Sequence, residues 1–207
     1  MKPLLRGHFH QSFFFVTLGA CGFLIAKAQT GRELFVTITY SISLLLMFGI
    51  SALYHRITWQ KPEHRLLMKK LDHTAIYILI AGTFMPLALK GFEWETAQKL
   101  MLILWAVALF GIIQSIFFVK LPKWVSSLLY LFMGYFMVPY FPDLMDTLGK
   151  GKMWVFIGGG IAYSIGAVSY GLKWPKLSPT YFSYHEIFHI FVCIGAAIHF
   201  LVIYNLY

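Results

Sequence analysis

Apolar residues in this chain fall into runs long enough to cross a membrane, about 20 residues each, and short polar breaks close every run. On that ruler the chain divides into seven helical segments, 12–28, 34–55, 71–90, 98–119, 124–142, 153–173 and 183–206. The breaks carry turn chemistry: Thr30-Gly31-Arg32, Gln60-Lys61-Pro62-Glu63, Lys90-Gly91-Phe92-Glu93, Lys120-Leu121-Pro122-Lys123, Pro142-Asp143, Gly149-Lys150-Gly151 and Lys173-Trp174-Pro175-Lys176. Every break is short, so the pattern predicts one all-α, seven-helix membrane domain over residues 1–207, with no soluble domain attached.

Composition agrees with the pattern. Hydrophobic residues make up 59% of the 207 and charged residues 12%, outside the range of water-soluble globules. Phe13 to Ala26 reads as the body of a first membrane helix, because similar segments follow it, and not as a cleaved signal. Cys21 and Cys193 lie inside apolar segments, where the ordinary role of the thiol is packing. The net charge of +9 would suggest nucleic acid on a soluble chain. On a membrane chain it reflects Lys and Arg held on the cytoplasmic side, next to anionic lipid, so no nucleic-acid partner is expected. The N-terminus and the second, fourth and sixth loops hold 11 of the 17 basic residues, which predicts a cytoplasmic N-terminus and a C-terminus outside. The run Arg56 to Lys70 is expected to anchor the second loop to lipid headgroups.

Candidate chemistry comes from the polar residues inside the apolar segments. Ionisable groups there are costly, and they face the bundle interior, where they pair or act. Helix 2 ends at Ser51-Ala52-Leu53-Tyr54-His55, helix 3 opens with Leu71-Asp72-His73, and helix 7 opens with His185 and His189. The topology brings all three to one depth. Residues four apart share a helix face, with roughly 5–6 Å between Cβ atoms, so His185 and His189 can reach one ion and Ser51 shares a face with His55. Three neutral imidazoles, His55, His185 and His189, suit a zinc ion (Zn2+) at about 2.0–2.1 Å and leave its fourth position to water, the arrangement of catalytic zinc sites. Such an ion lowers the pKa of its water to about 7. Asp72 then suits an outer role, holding that water or acting as base. Ser51 either orients the water or bonds a carbonyl of its own helix.

His185-Glu186-x-x-His189 also has the letters of the zinc-protease helix, in which the Glu is the base. That mechanism needs a soluble cleft and a third ligand further along, and His199 has the wrong offset. Glu186 points about 100° away from His185, toward the interface or a loop lysine, and stands behind Asp72 as a candidate base. His199 lies about 15 Å along the helix from His189, too far to share the ion, and is expected to bond a neighbouring helix. His73 points to another face. His8, His10 and His64 are expected on solvated surface. Gly158-Gly159-Gly160 sits inside an apolar helix with no strand before it, so it serves close packing and not phosphate binding.

The set Ser51-x-x-x-His55, then Leu71-Asp72-His73 leading into Ala81-Gly82-Thr83-Phe84-Met85-Pro86, then His185-x-x-x-His189 with His199 downstream, resembles the hemolysin III family of bacterial membrane proteins. That family is related to the progestin and adipoQ receptors, which include the adiponectin receptors, and to alkaline ceramidases. The resemblance covers nearly the whole chain. It implies seven helices in the bacterial inner membrane, a cytoplasm-side zinc held by His55, His185 and His189, and a water held by Asp72. It further implies hydrolysis of a lipid amide or ester whose acyl chain enters from the bilayer. Two other functions belong to the same resemblance: a receptor-like regulator of lipid homeostasis with a structural zinc, and a cytolysin. Where the receptors carry Gln after the first histidine of the pair, this chain carries Glu186.

Overall fold

The computed structural model describes residues 3–178 and 180–207. Among these, the elements in chain order are α1 (His8–Ala26), α2 (Gly31–Arg56), α3 (Pro62–Gly91), α4 (Trp94–Phe117), α5 (Lys123–Tyr135), a single 3-10 turn (Val138–Tyr140), α6 (Phe141–Leu148), α7 (Lys150–Leu172) and α8 (Tyr184–Tyr204). With α5 and α6 taken together, seven helical stretches among the described residues are long and apolar enough to cross a membrane. The chain is an all-α, multi-pass membrane protein.

Three helices differ from the apolar pattern. α1 starts at His8 and not at 12, because Gly7 takes a left-handed conformation (φ 84°) that turns the chain directly into the helix. α3 starts at Pro62, nine residues before its apolar run; proline suits the first helical turn, and the exposed Glu63, Arg65 and neighbouring polar residues keep their hydration on a helix that projects beyond the core. The break expected at Pro142-Asp143 is instead the first turn of α6: the fifth span runs on to Leu148 and is interrupted after Tyr135. Pro139 and Pro142 each lack an N–H, so the helix closes a 3-10 turn and restarts as α6 with proline in its first turn.

The helices form a ring in which α1 packs on α2, α2 on α3, α7 on α5 and α8, and α8 returns to α1 and α3. α3 is the most buried of the seven spans, and α4 lies outside it against α3. Polar ties close the end away from the histidines. Lys90 Nζ donates to Glu33 at 2.6 Å, Lys27 Nζ to the Tyr204 carbonyl at 2.8 Å, and the Arg32 guanidinium lies 4.1 Å over the Trp94 ring. Between α2 and α3 the approach depends on Gly82, where an added Cβ would come within 2.8 Å of the Ser43 Cβ. Ser43 is fully buried and its hydroxyl donates to the Tyr40 carbonyl at 2.7 Å, so it has no room to withdraw. Gly82→Leu should therefore destabilise the bundle by about 1–3 kcal/mol, read as a lower unfolding temperature in detergent against an unchanged Gly158→Ala control, a site with open space around its Cβ.

Candidate metal centre

His55 occupies the last turn of α2 and His185 the first turn of α8, where Ser183 and Glu186 form a capping box that fixes the helix start. His189 follows one turn later on the same face. All three histidines are buried, and each offers a ring nitrogen within 4.8 Å of the other two. Their rings lie 4.7–5.0 Å apart at mutual angles of 56–81°, turned toward a common point and not stacked on one another. His55 Nε2 and His185 Nε2 are 3.2 Å apart. Two ligands of a tetrahedral ion at about 2.0–2.1 Å stand ~3.3 Å apart, so the spacing fits one metal between them. The trio could hold a metal ion.

Asp72, in the third turn of α3, places Oδ2 3.8 Å from His55 Nε2, with the Ser51 hydroxyl beside its carboxylate. These two residues and the histidine pair of α8 line a cavity of about 10 Å³, room for about one water molecule. Ser51 thus stands across the helix boundary from Asp72, on the wall of the same cavity. Glu186 is fully buried too, but its carboxylate is committed elsewhere: Oε1 accepts from the Arg6 guanidinium and Oε2 from the Ser183 amide at 2.8 Å. The partner is an arginine from the N-terminal segment and not a loop lysine. His199 bonds across to α7, its Nε2 lying 2.9 Å from the Phe156 carbonyl, with its ring stacked on Phe156 at 3.8 Å. Cys21 and Cys193 are free thiols.

Two expectations are overturned. His73, expected on another face from Asp72, lines the small cavity beside it. His10 is not on the surface; it is completely buried and its ring stacks on His189 at 3.8 Å. The segment before α1 lies over this end of the bundle. Leu4 and Leu5 donate backbone hydrogen bonds to the Thr180 and Tyr181 carbonyls, at 2.8 and 3.3 Å, and Gly7 sits so close that an added Cβ would be 2.7 Å from the His55 Cβ. A helix drawn from 12 leaves His10 in a tail, whereas one starting at Gly7 carries it into the core. Two aromatic residues join the site without a signal in the sequence. Tyr170 of α7 meets the His185 ring edge-on at 5.3 Å, and Tyr130 of α5 has a buried hydroxyl without a hydrogen-bond partner among the described residues. Tyr130 lines both the small cavity and a partly open apolar cavity of about 320 Å³ lined mainly by α3, α5, α7 and α8. Met47, Ile76 and Phe188 are the other residues shared by the two cavities.

Fold and site define a multi-pass helical membrane protein with a buried three-histidine centre at one end of the bundle. A family model described as haemolysin-III related matches residues 1–200, and the chain belongs to that family. It is 38% identical over 159 residues to a hemolysin-3 homolog of Bacillus subtilis (strain 168), covering 76% of this chain and 70% of that protein. It is 35% identical over 175 residues to hemolysin-3 of Bacillus cereus, covering 84% and 76%. Human monocyte to macrophage differentiation factor matches at 26% over 169 residues, 80% of this chain and 68% of that protein, in keeping with the relationship to progestin and adipoQ receptors.

Removing Arg6 leaves the Glu186 charge buried without its partner. Arg6→Ala is expected to lower stability by about 3 kcal/mol, measured by unfolding in detergent. Adding Glu186→Gln should restore most of the loss, since the amide oxygen still accepts from Ser183 at the start of α8.

Proposed function

We propose that this protein is a zinc-dependent hydrolase of a lipid amide or ester, with His55, His185 and His189 as the zinc ligands and Asp72 as the base. The observation that carries the proposal is the junction of the two cavities: a three-imidazole trio with a carboxylate and room for one water, sharing a wall with an apolar chamber of about 320 Å³. When bound, zinc supplies Lewis acidity that brings the pKa of a water to about 7 and polarises a carbonyl. Asp72 takes the proton from the attacking water, and Ser51, beside its carboxylate in the same cavity, orients it for that transfer. The Tyr130 hydroxyl stands at the junction as a donor for the carbonyl oxygen as charge develops there. The apolar chamber holds the acyl chain and keeps bulk water from the reacting bond. Glu186 is left out of the proton transfer because both its oxygens are already engaged.

The excess of basic residues on the histidine side supports an inner-membrane protein with the centre on the cytoplasmic side. The acyl chain of the substrate then comes from the bilayer itself, and membrane lipids are the partners.

Metal content of the detergent-purified chain should be near one zinc per protein and fall sharply in His55→Ala, His185→Ala and His189→Ala. Hydrolysis of labelled ceramide or phospholipid should be lost in Asp72→Asn while zinc is retained. Zinc without turnover of any such lipid would instead mark a structural centre in a non-enzymatic regulator; lysis by zinc-free protein would mark a cytolysin.

Gly160 lines the chamber and has open space around its Cβ. Gly160→Leu should therefore raise KM for long-chain substrates more than for short-chain ones, with zinc content unchanged, as substrate-chain-length kinetics would report.

A further inference from the structure

The geometry points to His10 as a positioning residue of the metal centre, one that orients His189 through the face of its ring and not through a hydrogen bond. The inference rests on the metal-binding role of the His55, His185 and His189 trio.

A metal-bound imidazole is ordinarily held in its plane by a hydrogen bond from its second nitrogen to a carboxylate, a carbonyl or water. His189 lacks that device: its Nδ1 is buried without a partner among the described residues. In its place the His10 ring lies flat against it, with centroids 3.8 Å apart and planes 11° from parallel. His10 is itself wedged by Phe48, whose ring meets it edge-on at 5.2 Å, and Phe13 packs on Phe48 at 4.8 Å. Rotation of His189 out of its plane would drive it into His10, which has no room to yield.

The parallel arrangement also says what His10 does not do. A metal ligated by His189 lies in the plane of that ring, and a ring stacked above it aims its own lone pairs within a parallel plane, away from the ion. His10 accordingly stands outside the group whose nitrogens converge. Metal binding draws electron density from His189, and the electron-rich face of a neighbouring ring is the surface that favours such a ring. The polar neighbour of the His10 nitrogens is the His189 backbone, short of a well-formed hydrogen bond, so its contact with the His189 imidazole itself is made through the ring face. The sequence supplies this contact through Gly7. Its left-handed turn starts α1 against His55 and places His10 in the first turn, level with the ligands.

The test uses the full chain in detergent, loaded with Co2+ as a spectroscopic stand-in for zinc, in the native sequence and in His10→Phe and His10→Leu. Both replacements fill the site, but only Phe keeps a flat aromatic face. His10→Leu is expected to weaken Co2+ binding by about 10–100-fold in chelator competition and to alter the visible absorption of the bound ion. His10→Phe should stay within a few-fold of the native protein and keep its spectrum. Unfolding temperatures of the metal-free proteins show whether Leu has simply damaged the fold; a spectral change in a normally stable His10→Leu protein supports the positioning role. Native affinity and spectrum in His10→Leu would overturn it. So would a loss in His10→Phe equal to that in His10→Leu, which would make a ring nitrogen and not the face the operative feature. Absence of Co2+ binding by the native chain is a separate result and would remove the metal centre itself.

Discussion

Everything at the histidine end of this bundle follows from one constraint: polar groups inside an apolar helical bundle must find their partners there. His55, His185, His189 and Asp72 arrive on three different helices, and water does not surround them. A shared ion is the partner that three converging lone pairs can use together. The chain is arranged to make that meeting possible. The turn from α2 to α3 is short, the capping box at Ser183 sets where α8 begins, and Gly7 lets the first turn of α1 lie against His55.

Two buried carboxylates stand close to this centre, and their surroundings divide the work. Asp72 faces a space the size of a water, beside His55 and Ser51. Glu186 adjoins His185 in sequence, yet it serves the architecture by capping α8 and pairing with Arg6. The pair ties the N-terminal segment to the start of α8. The zinc-protease letters are therefore present without the protease arrangement, because both Glu186 oxygens are committed to Arg6 and to the Ser183 amide.

The irregular stretch of the fifth span is tied to the same site. Where Pro139 and Pro142 interrupt the helix, the wall of the bundle beside α7 no longer packs as two continuous cylinders. The apolar chamber lies at this place, with Gly134 and Val138 on one side and Gly160 on the other. A helix break that costs local hydrogen bonds thus leaves room next to the centre for a long apolar ligand.

The number of spans, their approximate limits and the identity of the trio were legible in the chain itself, because each rests on local chemistry. Twenty-residue apolar runs have few alternatives in a membrane, and two histidines four apart on one helix face one way whatever surrounds them. Helix starts were less legible. Polar turns such as 62–70 extend α3 without any apolar signal, since a helix projecting into the headgroup region needs none. What the sequence could not decide was the company of the trio. His10 reads as surface until α1 is seen to begin at Gly7, Tyr130 and Tyr170 are ordinary aromatics in ordinary helices, and Arg6 is one basic residue among many. Their roles depend on how α1, α5 and α7 are rotated and how closely they approach α8, which is set by side-chain packing summed over the whole bundle and not by any periodicity along one helix.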